Sequence, residues 1–506
     1  MSTDVSRPQQ AQPASDKVWS IETNGINPIP ESERHGKPFD MFWIWCAANI
    51  GILGISYGTY LVSFYGLNFP QSVLAGVIGT VVSFLLVGWI SLAGMLGGAP
   101  TLVLSRAAFG YHGNAITTAV SYISLVGWET VLVALATFAA EAVLDRLGVS
   151  PGKPTLAISF VVIALITIAI GLLGHATILK IATWFTWAFA VMTVVFVALE
   201  WSHLDWSSVS GLPSGTALNF IGGTSVIMAG LGIGWVNAAA DYSRYLPRSS
   251  SRGGIVWWTS FGASIAPIAL IVFGALLAAN HPDLASSANP IGDLGQDMPT
   301  WFLVPYLLTA VGGLVAGAML DIYSSGLNLL TLGVKLPRYQ SVVIDGTIMV
   351  AGNIYILFVA QNFIGPFIGF LVTLGVLLAS WAAIFLVDML LYRRRTGYDE
   401  RELYSPASRY GSVNLAGVLS FLIAAAVGLG LVTSTATIFK WTGYLIDPLF
   451  PGTKADIASV AGQVAGSSIG LLIAFGLAAV LYAVLSPLLG HEAAGGGRAE
   501  RTVVVP

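Results

Sequence analysis

Residues 228–247, MAGLGIGWVNAAADYSRYLP, form an apolar, helix-forming segment that is interrupted by glycines. Gly230, Gly232 and Gly234 stand within five residues. Each interior glycine disfavours an α-helix by about 1 kcal/mol relative to alanine. The cluster therefore predicts a discontinuous helix whose freed N–H groups can hold a polar ligand. The alternative for any single glycine is that it lets two helices pack closely.

A second cluster lies in residues 47–58, AANIGILGISYG, with Gly51, Gly54 and Gly58. Hydrophobic residues make up 55% of the 506-residue chain and charged residues only 9%, against about 25% charged residues in soluble domains. The sequence is therefore that of an all-α polytopic membrane protein. The predicted spans are about twelve segments near residues 39–65, 71–96, 115–144, 154–174, 177–200, 217–246, 254–279, 301–333, 342–359, 362–391, 413–435 and 464–489.

The two glycine clusters fall in spans 1 and 6, the spacing that a five-plus-five inverted repeat requires. We therefore expect residues 39–200 to form the first repeat (helices 1–5) and residues 217–391 the second (helices 6–10). Residues 392–489 then hold helices 11 and 12, outside the repeat.

The positive charges predict the orientation, because loops rich in Lys and Arg stay in the cytoplasm. With the N-terminus inside, 18 of the 22 Lys and Arg residues fall on the inner side. Both termini are therefore expected to be cytoplasmic, in the plasma membrane of the cell. Residues 1–38 are polar and lack the apolar core of a signal peptide, so they are predicted to be a disordered tail. Residues 490–506 form the second predicted tail.

Two acidic residues lie within apolar runs: Glu129 in the run 115–140 and Asp321 in the run 301–332. A carboxylate at that depth costs about 2.5–3.5 kcal/mol on insertion scales, which indicates a polar pathway through a transporter. Asp345 lies near the inner end of a span and is expected to reach headgroups or water. Neither a paired cysteine nor a mid-span histidine is present, which argues against a metal cofactor and against an intramembrane enzyme. A passive channel is an alternative, but it leaves the two glycine clusters unexplained.

Four strings closely resemble the purine-cytosine permease branch of the nucleobase:cation symporter family: SRAAFGYHGN (105–114), AADYSRYLP (239–247), LDIYSSGLNLLTLG (320–333) and LVDMLLYRRRTGYD (386–399). The resemblance runs from about residue 39 to 398. It implies a fold of the leucine-transporter type and secondary active uptake of a nucleobase by symport with a proton or sodium ion. A symporter for another small heterocycle, such as a hydantoin, allantoin or a B6 vitamer, is the alternative.

The resemblance implies a cation site that joins the break in helix 1, at Gly51 and Gly54, to Asp321, Ser324 and Ser325 on helix 8. Spacings of three and four residues place side chains on one face of a helix. The alternative is that the serines bond to carbonyl groups of their own helix, as serine commonly does in membrane helices. A carboxylate at position 321 suits direct protonation or a tight sodium site, and the coupling ion stays open.

The substrate site implied by the resemblance lies between helices 1, 3, 6 and 8, with Trp128 stacking on a planar ring. Glu129 is expected to accept hydrogen bonds from a base, or else to make an interhelical contact or serve a proton route. The further substrate candidates are Asn49, Ser56, Gly232, Trp235 and Asn237. The expected partners are a nucleobase and the lipid bilayer, with no nucleic acid and no cofactor besides the coupling ion. A monomer suffices, and the oligomeric state stays open.

Overall fold

The computed structural model describes residue 19 and residues 24–173, 175–281, 298–360, 364–434 and 436–489. All regular elements within these ranges are helical. The α-helices are α1 (Asp40–Asn49), α2 (Leu53–Ser63), α3 (Phe69–Gly97), α4 (Thr101–Leu104), α5 (Arg106–Phe109), α6 (Asn114–Arg146), α7 (Lys153–Leu173), α8 (His175–Glu200), α9 (Trp206–Ser210), α10 (Ala217–Gly230), α11 (Gly232–Trp235), α12 (Ala239–Ser243), α13 (Arg252–Asn280), α14 (Thr300–Thr331), α15 (Arg338–Phe358), α16 (Ile364–Asp388), α17 (Leu415–Gly430), α18 (Ile446–Leu449), α19 (Val460–Ser467) and α20 (Gly470–Leu488).

The helices are long enough to account for a polytopic membrane protein. Within the described ranges, ten helical segments have the length and composition to cross a bilayer, and the pair α1–α2 makes an eleventh candidate. Helix α17 is apolar but shorter, with 16 residues. This arrangement is consistent with the twelve predicted spans.

The first predicted span is interrupted between α1 and α2, which meet at an angle of 55°. Ile50 leaves the helical region with φ −85° and ψ 80°. A side chain at Gly51 would meet no atom within 4 Å, whereas a Cβ at Gly54 would lie 2.7 Å from Leu270 and one at Gly58 would lie 2.2 Å from the carbonyl oxygen of Ile271. The glycines of this cluster therefore divide their roles: Gly51 lies in the break, and the other two allow close packing on α13.

The sixth predicted span is interrupted at Leu231, whose φ of −114° and ψ of −107° end α10. A 3₁₀ turn, Val236–Ala238, follows α11 and separates it from α12. A Cβ at Gly232 would lie 2.3 Å from the backbone carbon of Ser83 on α3. Gly232 therefore allows the interrupted segment to approach α3 closely, while the break itself is one residue earlier.

The interrupted helices pack in a pattern that relates the two halves of the chain. The first interrupted span, α1 and α2, packs on α13, and α10 and α12 of the second interrupted span pack on α3. Each therefore packs on the second helix of the opposite repeat. The third helices of the repeats, α6 and α14, lie along each other. This reciprocal packing is consistent with the predicted five-plus-five repeat.

The predicted disorder of the N-terminal tail is wrong for residues 24–38, which pack on the predicted cytoplasmic end. Ile29 is buried, and its N–H donates to the carbonyl of Gly98 at 2.8 Å. The buried guanidinium of Arg34 donates from Nη1 to the carbonyl of Met95 at 2.8 Å. Carbonyl groups in the last turn of a helix lack partners within that helix, so Arg34 caps the end of α3. Apart from Trp19, the rest of this tail and residues 490–506 lie outside the described residues.

Candidate functional site

A cavity of about 50 Å³ lies between the two helix interruptions. Its walls come from α1, α2, α6, α14 and the break between α10 and α11. The lining residues are Ala48, Asn49, Gly51, Leu53, Gly54, Tyr57, Trp128, Leu132, Gly230, Leu231, Trp235, Gly313, Leu314 and Gly317. A largely apolar cavity with a few polar groups is the usual form of a small-molecule site.

Both interruptions expose backbone groups at this cavity. The N–H groups of Gly51, Ile52 and Leu53 make no backbone hydrogen bond within the part of the chain that the structure describes. The carbonyl freed at Gly230 accepts a hydrogen bond from the Tyr57 hydroxyl at 3.0 Å. Tyr57 belongs to α2, so this bond joins the two interruptions directly.

Two tryptophans form aromatic parts of the cavity wall. Trp128 is held by edge contacts with Phe367 and Phe370, whose ring centroids lie 5.8 and 6.3 Å away. Trp235 makes a similar edge contact with Trp45 at 5.7 Å. Edge-to-face packing of this kind fixes the ring planes. The two indoles are therefore positioned by aromatic neighbours before any ligand binds.

Of the other predicted substrate residues, only Asn49 lines the cavity. Its Nδ2 donates to a carbonyl of its own helix at 2.9 Å, and its amide oxygen accepts no hydrogen bond from a described residue. Ser56, Glu129, Gly232 and Asn237 are buried but do not line the cavity. For Glu129 the reason is helical geometry, because adjacent residues on a helix point about 100° apart. Glu129 therefore lies outside the lining of this cavity, and its contact with a base stays a prediction.

The break in the first span faces α14, as the implied cation site requires. A side chain at Gly313 would lie 3.1 Å from the carbonyl oxygen of Ile50, and one at Gly317 would lie 3.9 Å from that of Ala48. Asp321 is one helical turn beyond Gly317 on the same face. The structure thus brings the carbonyl oxygens of Ala48 and Ile50 against α14, about one and two turns from Asp321 respectively.

The two serines of the implied cation site point to different helices. Ser324 Oγ lies 3.1 Å from the hydroxyl of Tyr242 on α12, whereas Ser325 Oγ donates to Asp345 Oδ2 on α15 at 3.1 Å. Asp321 is buried, and its Oδ2 has no hydrogen-bond partner in the described ranges. The two serines therefore do not share one face of α14: Ser324 points to α12 and Ser325 points to α15.

The model of a family described as permease for cytosine/purines, uracil, thiamine, allantoin matches residues 28–446. This chain belongs to that permease family. The resemblance inferred from the four sequence strings is confirmed.

Two relatives of the permease match along most of their length. The putative purine-cytosine permease YxlA of Bacillus subtilis is 27% identical over 473 residues, which cover 92% of this chain and 96% of the relative. Purine-cytosine permease FCY2 of Saccharomyces cerevisiae is 24% identical over 498 residues, which cover 93% of this chain and 86% of the relative.

A solved structure of Mhp1, a nucleobase-cation-symport-1 family transporter in a closed conformation with bromovinylhydantoin bound, superposes on the permease with a TM-score of 0.70. The superposition covers 94% of this chain and 98% of Mhp1 at 17% identity. The permease therefore has the fold of that transporter, which confirms the predicted fold class.

A cluster of buried carboxylates beside the cavity of the permease was only partly expected. Glu129 is fully buried, neither of its oxygens makes a hydrogen bond of acceptable geometry within the described ranges, and Asp345, Asp321 and the Ser325 hydroxyl are its polar neighbours. Asp345 is also fully buried, and its Oδ1 accepts a hydrogen bond from Tyr122 at 2.6 Å. The expectation that Asp345 reaches headgroups or water is wrong. None of the three carboxylates forms an ion pair with a described lysine or arginine, and a buried carboxylate is costly unless it is paired or neutralised.

A second polar contact that the sequence did not indicate joins helices of both repeats. Ser121 Oγ on α6 accepts hydrogen bonds from Asn237 Nδ2 at 2.7 Å and from Asn328 Nδ2 at 2.6 Å. Asn237 belongs to the 3₁₀ turn after α11, and Asn328 belongs to α14. Asn237 thus joins the interrupted segment to α6. In the sequence, the only available signal for this polar contact was the pair of polar residues Ser324 and Asn328, which lie one turn apart on α14.

Proposed function

We propose that this permease takes up a nucleobase, cytosine or a purine, by symport with a proton or a sodium ion. The observation that carries the proposal is that Trp128 and Trp235 line one cavity at the meeting point of both helix interruptions. Stacking of a planar base on an aromatic side chain is worth about 1–3 kcal/mol. The freed N–H groups near Gly51 and the amide of Asn49 supply hydrogen-bonding groups for the edge of a base.

The substrate class is supported by the relatives, since the named bacterial and yeast relatives are described as purine-cytosine permeases. The bound ligand of Mhp1 is a hydantoin, so another small heterocycle, such as a hydantoin, allantoin or a B6 vitamer, is the second candidate. Both candidates place a planar ring against Trp128.

We place the coupling site at Asp321, Ser324 and Ser325, next to Gly51 and Gly54. The carbonyl of Ala48, near the end of α1, faces α14 at Gly317, one turn from Asp321. Oxygen atoms are the ligands that hard cations prefer. The adjoining carboxylate cluster supplies acidic groups that can take up a proton directly. Coupling requires that the cation and the substrate change each other's affinity by the same factor.

The proposed mechanism is alternating access in the plasma membrane, with both termini in the cytoplasm. Cation binding favours the outward-open state, the base stacks on Trp128, and the repeats then rock against each other so that the cavity opens inward. The distribution of Lys and Arg supports this orientation. Binding and conformational change account for this function without a catalytic step, so we propose no enzymatic activity.

The test is uptake of radiolabelled cytosine, adenine and guanine by the purified permease in liposomes, with a proton gradient or a sodium gradient imposed separately. Hydantoin, allantoin and pyridoxine serve as competitors. We expect accumulation of at least one base that collapses when one of the two gradients is removed.

The outcomes separate the candidate functions. Accumulation of only a competitor heterocycle would replace the nucleobase with the second candidate. Substrate flux that equilibrates but never concentrates under either gradient would contradict symport and indicate a passive pathway.

A further inference from the structure

A second cavity, of about 630 Å³, lies between α3 and α13, away from the central site. Its walls are apolar and aromatic along most of their length. The lining residues are Val81, Leu85, Trp89, Leu92, Arg252, Gly253, Val256, Trp257, Ser260, Phe261, Ser264, Ile265, Ile268 and Arg394. We refer to this cavity as the α3–α13 groove.

The length of the groove matches one leaflet of a bilayer. Arg252 begins α13, and Ile268 lies sixteen residues further along the helix. At 1.5 Å per residue this distance is about 24 Å, and half of a bilayer with its headgroup region is about 20–22 Å thick. The groove therefore extends from the predicted cytoplasmic membrane surface to the region of the bilayer midplane.

Two exposed arginines stand at the surface end of the groove. Arg252 Nη1 donates to the carbonyl of Arg394 at 2.9 Å, and the Arg394 guanidinium lies 5.7 Å from the ring of Trp89. Trp257, which is 60% exposed, belongs to the same wall. Tryptophan and arginine together are typical of the membrane interface.

The charges at this end of the bundle are not distributed evenly. Arg248 pairs with Glu31 and Glu400, and Arg393 pairs with Asp388. Within the described ranges, neither arginine of the groove has an ion pair with a carboxylate. The groove thus keeps the positive charge of Arg252 and Arg394, whereas Arg248 and Arg393 are paired with carboxylates.

The start of α13 adds to this positive end. Ser251 caps the helix by accepting a hydrogen bond from the N–H of Gly254 at 3.1 Å. A side chain at Gly253 would meet no atom within 4 Å, so the N-terminus is open to the groove. The N-terminus of a long helix favours an anion, and here it coincides with both guanidinium groups.

We propose that the α3–α13 groove binds an anionic phospholipid, with an acyl chain along the apolar walls and the phosphate between Arg252 and Arg394. The two arginines without carboxylate partners suit the phosphate, and the aliphatic and aromatic walls suit the acyl chain. The bound lipid joins the start of α13 to the segment that follows α16. This site is independent of the proposed substrate and coupling ion.

The test uses the full-length permease, purified in detergent, stripped of lipid and titrated with phosphatidylglycerol or phosphatidylcholine in native mass spectrometry. We expect preferential binding of phosphatidylglycerol. Each basic side chain near an anionic headgroup contributes about fivefold, so the double variant Arg252→Gln/Arg394→Gln should bind that lipid roughly 30-fold more weakly. The control is Arg248→Gln, which removes an arginine that is already paired and should leave lipid binding unchanged.

A groove-filling variant tests the acyl-chain part separately. Leu85 is 41% exposed on the groove wall, so Leu85→Trp should fill the space and reduce binding of phosphatidylglycerol without a change in charge. Thermal unfolding and size-exclusion profiles establish that each variant is folded. Equal binding of the two lipids, unchanged binding in the double variant, or unchanged binding in Leu85→Trp would each overturn the proposal. Displacement of bound phosphatidylglycerol by millimolar inorganic phosphate would also overturn the proposal, because it would identify a site for free phosphate.

Discussion

Replacement of Trp128 by alanine removes the aromatic surface on which the proposed substrate stacks. Trp128 lines the central cavity and is 8% exposed, so its ring is available to a ligand only inside the cavity. Loss of one base–aromatic stack costs about 1–3 kcal/mol, which corresponds to a roughly 5-fold to 150-fold increase in Kd. Equilibrium binding of a radiolabelled base to the purified Trp128→Ala variant measures this increase.

The same replacement also leaves a void behind the cavity wall, where Phe367 and Phe370 contact the indole. Truncation of a buried tryptophan to alanine costs about 3–5 kcal/mol of stability, so Trp128→Phe is measured alongside it. The phenylalanine variant keeps an aromatic face and should bind substrate more tightly than the alanine variant. Trp184→Ala, at a site that is 73% exposed, is the matched control. A folded Trp128→Ala variant that binds the base within twofold of the wild type would refute the stacking role.

Three further predictions concern coupling and stability. Asp321→Asn should retain substrate exchange but lose gradient-driven accumulation in liposomes, and normal accumulation would mean that the cation site is misplaced. Gly232→Ala should lower the free energy of unfolding by about 1–3 kcal/mol, because its Cβ would lie 2.3 Å from the backbone of Ser83. The control is Gly51→Ala, whose Cβ meets no atom within 4 Å and which should cost much less stability in thermal unfolding. Equal losses in the two variants would contradict the packing argument. Tyr122→Phe removes the donor to a buried carboxylate of α15 and should destabilise by about 1–3 kcal/mol, so an unchanged unfolding temperature would argue against that hydrogen bond.

The repeat and its interruptions could be predicted because their signals are local in the sequence. Glycine clusters at 47–58 and 228–247 mark the two interrupted spans, and the charge distribution predicts their orientation in the membrane. The sequence could not tell which glycine breaks the helix and which one allows packing. That distinction depends on the neighbouring helix, as the contacts of Gly54 with Leu270 and of Gly232 with Ser83 illustrate.

The sequence indicated which residue types belong to the candidate site, but not which way their side chains point. Trp128 and Glu129 are adjacent in sequence, yet one lines the cavity and the other lies in the carboxylate cluster. Which of two adjacent residues faces a ligand depends on how the helix is rotated against its neighbours. The predicted exposure of Asp345 was wrong because it was based only on the distance of this residue from the end of a span. Its hydrogen-bond donors, Tyr122 and Ser325, belong to other helices, so the local sequence does not indicate them.

The N-terminal segment shows a different reason for failure. Residues 24–38 have the polar composition of a flexible tail, and composition alone predicts that they do not form a core of their own. They are held on the fold by contacts such as the hydrogen bond from Arg34 to the carbonyl of Met95, which lies in the last turn of α3. The hydrogen-bond acceptor that holds this segment lies in a distant part of the chain, so the local sequence around residues 24–38 does not reveal it.

The hydrogen bond from Tyr57 to the carbonyl of Gly230 makes the two repeats mechanically dependent at their weakest points. Movement of one interruption relative to the other would stretch or break this bond, since the phenol belongs to one and the acceptor to the other. Tyr57 is also a wall of the central cavity. A ligand that moves this ring would therefore strain the hydrogen bond and so affect both interruptions.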